Sequence, residues 1–441
     1  NNNNKNNIFF LKKNIFILYN IKYKMSEQQL MYLNNLVYKL SSPTSVVNQR
    51  VLKRQYFTQR RYAVGQQMDC VMNTGNSFID WKNSTLVVRV KLTSPEVAGV
   101  PLEFGATFGS GSVLNILRNI RITHKSGSII TNTRELNLYN KMYQKFQYSD
   151  DWFNTIGQSI GYDFEVIDDI YQFDLINNTV EFHIPCTAIH PFFMPESSVM
   201  APSQLASGLR ISCDLEAPEI ALMGTIPGLT YQVEDIYFNT MNVDLMDSAS
   251  ASLNTTASKQ SLEYIFSDVF SAVNSQPSLN SAINIDMGKS VSFANFAMAV
   301  LYDQGKRAIS DLNSVEDSFE IPYIDGRWSF ALGSDNYPNV PNESVQASYH
   351  TALVTADKLS GNQPQQPKAT PKQFKDSQGF YGVSLERDTA LALSSSIISS
   401  SRQLRLNADL DTPPVNALYT TLFLNYIVNV RLSLLNAKID I

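Results

Sequence analysis

The sequence predicts a mainly β protein made of two consecutive eight-stranded antiparallel jelly rolls, with short helices inserted in their loops. Three observations predict it. Apolar and polar residues alternate over many short stretches, one clear helical pattern occurs in each half, and a small, polar segment divides the halves. Many short strands with turn signals between them make a sandwich or barrel. Each half is long enough for eight strands with long loops.

The 441 residues exceed a typical domain of roughly 100–200, so more than one domain is expected. Hydrophobic residues make up 44% and charged residues 17%, enough for a large core under a surface rich in Asn, Ser, Thr and Gln. A net charge of −5 is too mild for a dedicated nucleic-acid binder. Cys70, Cys186 and Cys213 are odd in number and not closely spaced. They argue against a disulfide framework and a zinc site, and for folding in a reducing compartment.

Residues 1–24 use almost only Asn, Lys, Ile, Phe, Leu and Tyr. They read as a translated upstream leader, because Met25 opens a natural start, "MSEQQL". A signal peptide fits less well, since Lys12 and Lys13 split the apolar stretch and no small-residue cleavage site follows. No uncharged apolar run reaches the roughly 18 residues of a membrane helix. Residues 25–49 form an arm, 50–247 the first roll, 248–261 a linker and 262–441 the second roll.

The strand "STLVVRVKLTS" sets the pattern for the first half. Leu86, Val88, Val90 and Leu92 share one face, and Val87, Arg89, Lys91 and Thr93 the other. Further strands are expected at Tyr56–Val64, Gln67–Met72, Ile120–His124, Thr179–Thr187, Leu209–Leu215 and Tyr231–Leu245. Leu136, Tyr139, Tyr143 and Phe146 recur at helical spacing within Arg134–Phe146. Asp150–Gly161 is a second short helix or loop. In the second half, strands are expected at Leu262–Phe270, Ala282–Met287, Phe293–Tyr302, Phe319–Tyr323 and Trp328–Leu332, and a helix at Val345–Lys358. "RQLRLNADL" places Leu404, Leu406, Ala408 and Leu410 on one face. "TTLFLNYIVNVRLSLL" does the same with Leu422, Leu424, Tyr426, Val428, Val430, Leu432 and Leu434, leaving Asn425, Asn429 and Arg431 opposite.

Three stretches resemble the double-jelly-roll major capsid proteins of tailless icosahedral DNA viruses, of the virophage, Polinton and Polinton-like type. They are "TGNSFIDWKNSTLVVRVKL" (Thr74–Leu92), "FGSGSVLNILRNIRITHKSGSIITNTRELNLYNKM" (Phe108–Met142) and the closing strand pair Ser394–Ile441. The resemblance is one of pattern and order over about Arg50 to Ile441. It implies a structural subunit that trimerises into pseudo-hexagonal capsomers and tiles an icosahedral virion shell. Its partners would be itself, neighbouring capsomers and minor capsid proteins. Assembly would take place in the host cytoplasm or nucleus, without a cofactor.

Motifs with chemical potential are weak by comparison. "GQSIG" centres Ser159 in a nucleophile-elbow pattern, but no strand precedes it and no helix follows. His183 and His190 flank Cys186 in "HIPCTAIH". On a strand, His183 and Cys186 would face opposite sides, so His183 reads as filling an alternating strand and His190-Pro191 as the start of a turn, in preference to a metal site. "FGSGS" lacks the Lys and third Gly of phosphate loops. The carboxylate pairs in Ile167–Ile170 and Asp409–Asp411 have no second pair to complete a two-metal site. Sequons at Asn83, Asn178, Asn254 and Asn342 carry little weight for a cytosolic or nuclear protein. Arg50, Lys53, Arg54, Arg60 and Arg61, interleaved with Tyr56 and Phe57, form a basic cluster. Inter-subunit contact or solvent is preferred to weak nucleic-acid contact, because five charges bind modestly at physiological salt.

No catalytic set emerges, and the chain reads as a non-enzyme. The alternatives are a tandem β-sandwich carbohydrate-binding or carbohydrate-active protein and a minor or vertex capsid protein. The first usually concentrates Trp, Asp and Glu in a groove, whereas Trp81, Trp152 and Trp328 lie in separate segments. The second usually has a single roll.

Overall fold

The computed structural model describes residues 46–94, 106–107, 109–162, 178–195, 200–224, 228–259, 261–277, 279–303, 326–356, 369–375, 379–386, 396–414, 416–432 and 437–440. The leader, most of the arm, Ile167–Ile170, Phe319–Tyr323 and Leu434 lie outside the described residues.

The first half contains β1 (Val47–Tyr56), β2 (Tyr62–Ala63), β3 (Gln67–Val71), β4 (Phe78–Thr93), β5 (Ala106–Thr107), β6 (Leu117–Thr123), β7 (Ile129–Thr133), β8 (Thr179–Pro185), β9 (Arg210–Leu215), β10 (Met223–Gly224) and β11 (Thr230–Leu245). One sheet has the order β1-β11-β4-β8, with β2 also paired to β11, and a second has the order β3-β9-β6-β7. Setting aside the two-residue strands and numbering the rest one to eight, the orders are 1-8-3-6 and 2-7-4-5.

The second half contains β12 (Leu262–Gln276), β13 (Ala282–Asp286), β14 (Val291–Asp303), β15 (Gly326–Leu332), β16 (Asp335–Asn342), β17 (Tyr381–Ser384), β18 (Ser396–Ile398), β19 (Leu404–Leu410), β20 (Leu418–Leu432) and β21 (Ala437–Asp440). Its sheets run β12-β20-β14-β17 and β13-β19-β15-β16, with β18 beside β14 and β21 beside β20. With β18 and β21 set aside, these are again 1-8-3-6 and 2-7-4-5. The same antiparallel order twice makes two jelly rolls. The repeat is thus one of topology, as the sequence predicts.

Inward residues follow the period-two pattern. Leu86, Val88, Val90 and Leu92 of β4 are buried, as are Leu404, Leu406, Ala408 and Leu410 of β19. Gly326 must be glycine for a local reason: a Cβ there would meet the Asp409 carbonyl oxygen at 2.7 Å. Strand β16 carries Pro338 and Pro341, which hides it from a period-two reading. It is an edge strand, where a missing N–H costs no ladder bond on the open side.

Each roll inserts a helix after its fifth strand. Helix α1 (Leu136–Gln147) follows β7, and α3 (Val345–Thr355) follows β16. Between the rolls, where a linker is expected, the chain forms helix α2 (Asp247–Lys259), with Asp247 in the first turn favouring the helix dipole.

Candidate assembly interface

The rolls meet through an edge-to-edge junction. Strand β7, an edge of the first roll, lies against β12, an edge of the second. Thr133 Oγ1 donates to the Val269 carbonyl (2.8 Å), and the Thr131 hydroxyl donates to the Asp268 carboxylate. Asp268 is buried and also accepts from Tyr426 Oη (2.7 Å) and the Val269 N–H (2.8 Å). Three donors on one carboxylate compensate the desolvation of a buried acid.

Helix α1 seals this junction, and ten of its twelve residues are buried. Its amides face the first roll. Asn140 donates to the Ile189 carbonyl (3.0 Å), Gln144 to that of Ala188 (2.8 Å) and Asn137 to Glu216 (2.9 Å). Its aromatic rings face the second roll. Tyr143 stacks on Phe296 at 4.8 Å, Tyr139 lies 5.5 Å from Phe423, and Phe146 meets Phe380 edge-on at 4.9 Å. Below the helix, the turn Pro191–Phe193 sets Phe192 against Tyr264 and Phe266, and Phe193 against Trp81. A single apolar core therefore runs through both rolls.

Among the described residues, the equivalent surfaces at the far ends are open. Strand β1 is the first-roll counterpart of β12, and among the described residues its outer edge pairs with nothing. It exposes Val51, Leu52 (54%) and Tyr56. Strand β16 is the second-roll counterpart of β7, and it exposes Val340 (74%). Helix α3 beside it presents Gln346, His350 and Val354, one exposed stripe at i, i+4 and i+8.

Arg50, Lys53 and Arg54 of the basic cluster lie on β1, while Arg60 and Arg61 follow it, just before β2. Arg50, Lys53, Arg54, Arg60 and Arg61 are all exposed. Arg54 lies over the Tyr237 ring at 4.7 Å, Arg61 pairs with Glu234 at 3.0 Å, and Arg50 reaches Asp80 at 4.0 Å. The open apolar residues beside these cations carry no periodic signal of burial, and so escape a sequence reading.

The remaining motifs are not brought together. Ser159 is exposed at the end of a helical turn, where its hydroxyl donates to the Ile156 carbonyl (2.7 Å). His183 is exposed on β8 beside Glu181, while Cys186 is buried, with burial pushing its thiol up. Gly109–Ser112 of the FGSGS stretch lie within a 3-10 segment over Gly109–Ile116. Asp409 and Asp411 are exposed. Trp81 and Trp328 are core residues, and Trp152 stacks on Tyr148 at 4.1 Å. No group of three or more His, Cys, Asp and Glu fit for a metal occurs among the described residues, and no helix of the described residues is long and apolar enough to cross a membrane.

No sequence-family model and no curated protein matches this chain. Solved structures do. The Faustovirus major capsid protein superposes with a TM-score of 0.61 at 8% identity, covering 90% of this chain and 92% of that one. A chain of the PBCV-1 virus capsid gives 0.58 at 10% identity, covering 91% and 99%. A chain of the Sputnik virophage structure gives 0.58 at 9% identity, covering 91% and 90%. At these identities the likeness is one of fold. The fold is the double jelly roll of viral major capsid proteins.

Proposed function

We propose that this chain is a major capsid protein, a structural subunit that closes into trimers and tiles an icosahedral shell. The observation that carries it is the junction within the chain, together with the matching edges left open at its two ends. Inside the chain, the fifth-strand edge of one roll covers the first-strand edge of the next. Repeating that contact between copies puts β16 and α3 of one copy against β1 of another. The contact is heterologous, and it closes when the rotation returns on itself. Three chains then make a ring of six rolls, a near-hexagonal block.

The surfaces suit each other. Leu52, Val51 and Tyr56 lie on one, and Val340 and Val354 on the other. The cations of β1 would meet an edge bounded by Asp335 and Glu343, which pair within the chain with Arg402 and Arg327. This assigns Arg50, Lys53 and Arg54 to contact between copies in preference to the genome. The fused core makes each chain a rigid tile, which suits a shell better than a ligand-binding groove. A carbohydrate-active role is not favoured, since the tryptophans serve the core and an aromatic stack in place of one exposed groove.

The test is size-exclusion chromatography with light scattering, followed by negative-stain microscopy. Wild type should elute at three times 49.5 kDa and show hexagonal outlines. Leu52→Asp and Val340→Asp should each give folded monomer. Leu279→Asp, on an exposed loop, should stay trimeric. A wild-type monomer, or trimers unaffected by both edge variants, would overturn the arrangement.

A further inference from the structure

The His190 side chain is fully enclosed at the junction. Its Nδ1 accepts the Phe192 N–H at 3.0 Å, so that nitrogen carries a lone pair. The proton of the neutral ring is therefore on Nε2, 2.9 Å from Thr133 Oγ1 and 3.5 Å from Asp268 Oδ1. Thr133 already donates to Val269, so its oxygen accepts from Nε2. One neutral imidazole thus ties β7 toward β12 and caps the turn Pro191–Phe193. Tyr264 Oη completes the tie by donating to the Phe192 carbonyl at 2.7 Å.

His190 is among the residues around a crevice of about 600 Å³ that α1 and both rolls border. The titratable groups around it are Asp268 and Tyr264 on β12, Tyr426 on β20, Tyr139 and Tyr143 on α1, and Glu386 across the crevice. Lys289 lies over the Tyr426 ring, 5.5 Å away. The phenols stay neutral in acid, so Asp268 is the ionisable partner in direct reach. Burial pulls the His190 pKa down to about 4, with Asp268 opposing that shift.

We propose that His190 is an acid-released clasp between the two rolls. A solvent proton added at Nδ1 replaces the acceptor with a donor that faces the Phe192 N–H. Two N–H groups cannot share that contact, so the cap fails. The turn Pro191–Phe193 then withdraws Phe192 from Tyr264 and Phe266. The rolls part at β7 and β12, while the sheets within each roll persist.

The experiment follows hydrogen exchange of the full chain from pH 7.5 to 3, corrected for intrinsic rates, with far-UV circular dichroism alongside. Peptides spanning 186–194 and 262–270 should lose at least tenfold in protection as the pH falls from 6.5 to about 4, while β9 and β19 keep theirs. His190→Asn retains an acceptor for the Phe192 N–H but takes no proton, and should remove most of that loss. The same loss in the variant, uniform loss in all strands, or full protection at pH 3 would overturn the clasp. Should the variant fail to fold, isotope-labelled histidine spectra of wild type decide. Protonation of His190 in step with the opening supports it, and opening with His190 still neutral overturns it.

Discussion

Val428 lies on β20 with no exposed surface, and Asn429 beside it is half-buried on the opposite face. That step of one residue decides what each tolerates. Val428→Asp removes a buried aliphatic worth about 1.5–3 kcal/mol and leaves an unpaired charge in the core. It should prevent folding of the second roll, read as loss of soluble trimer on size exclusion. Asn429→Asp sets a carboxylate opposite Asp440, its register partner on β21, with Arg431 nearby on the same face. Its cost should be about 0.2–1 kcal/mol, seen as a small fall in the urea midpoint. Equal yields from the two variants would contradict a half-buried strand. Asn425 differs from its sequence expectation. It shares the face of Asn429 but is buried, because α1 of the first roll covers that end of β20.

Among elements, α1 has the widest reach. It belongs to the first roll by sequence and by its amide hydrogen bonds, yet its rings fill the second roll. Phe146 is enclosed by Tyr349, Phe374 and Phe380, all second-roll residues. Phe146→Ala should destabilise by about 3–5 kcal/mol, the range for a large aromatic lost from a packed core. In calorimetry the whole transition should move to lower temperature than in wild type. A change below about 1 kcal/mol would mean that the helix rests on the junction without supporting it. The helical spacing of Leu136, Tyr139, Tyr143 and Phe146 reveals the helix. It does not reveal that the helix is buried on nearly every side, because periodicity reports one face.

At the scale of the molecule, the continuous core joins the rolls into one block. At pH 7 a single calorimetric transition is expected, and two resolved peaks would contradict the shared core. Stability should also depend on acid through His190. Its folded pKa, about 4, lies below the ordinary 6.5, so the unfolded chain binds more protons between these values. Stability is therefore complete above pH 6.5, falls as pH drops toward 4, and is lost no further by this residue below that. The span is about 3 kcal/mol. Urea titrations across this window should show it in wild type and a flatter profile in His190→Asn.

The sequence by itself determined the class of fold, most strands and the helix in each half. Those are local properties: a period of two or 3.6 is written in neighbouring residues, and it survives without knowledge of partners. Strand β16 escaped because its prolines break the pattern, and the linker proved helical because small polar residues carry no apolar period. Tertiary structure alone decided which edges meet and which stay open. Thr131 and Asp268 stand 137 residues apart, and neither carries a local sign of the other. His190 reads as the start of a turn in sequence. The Phe192 N–H two residues on fixes its tautomer, and only the packing of β12 against that turn encloses it and lowers its pKa. The open edges of β1 and β16 are likewise set by topology, since the order 1-8-3-6 and 2-7-4-5 places those strands outermost.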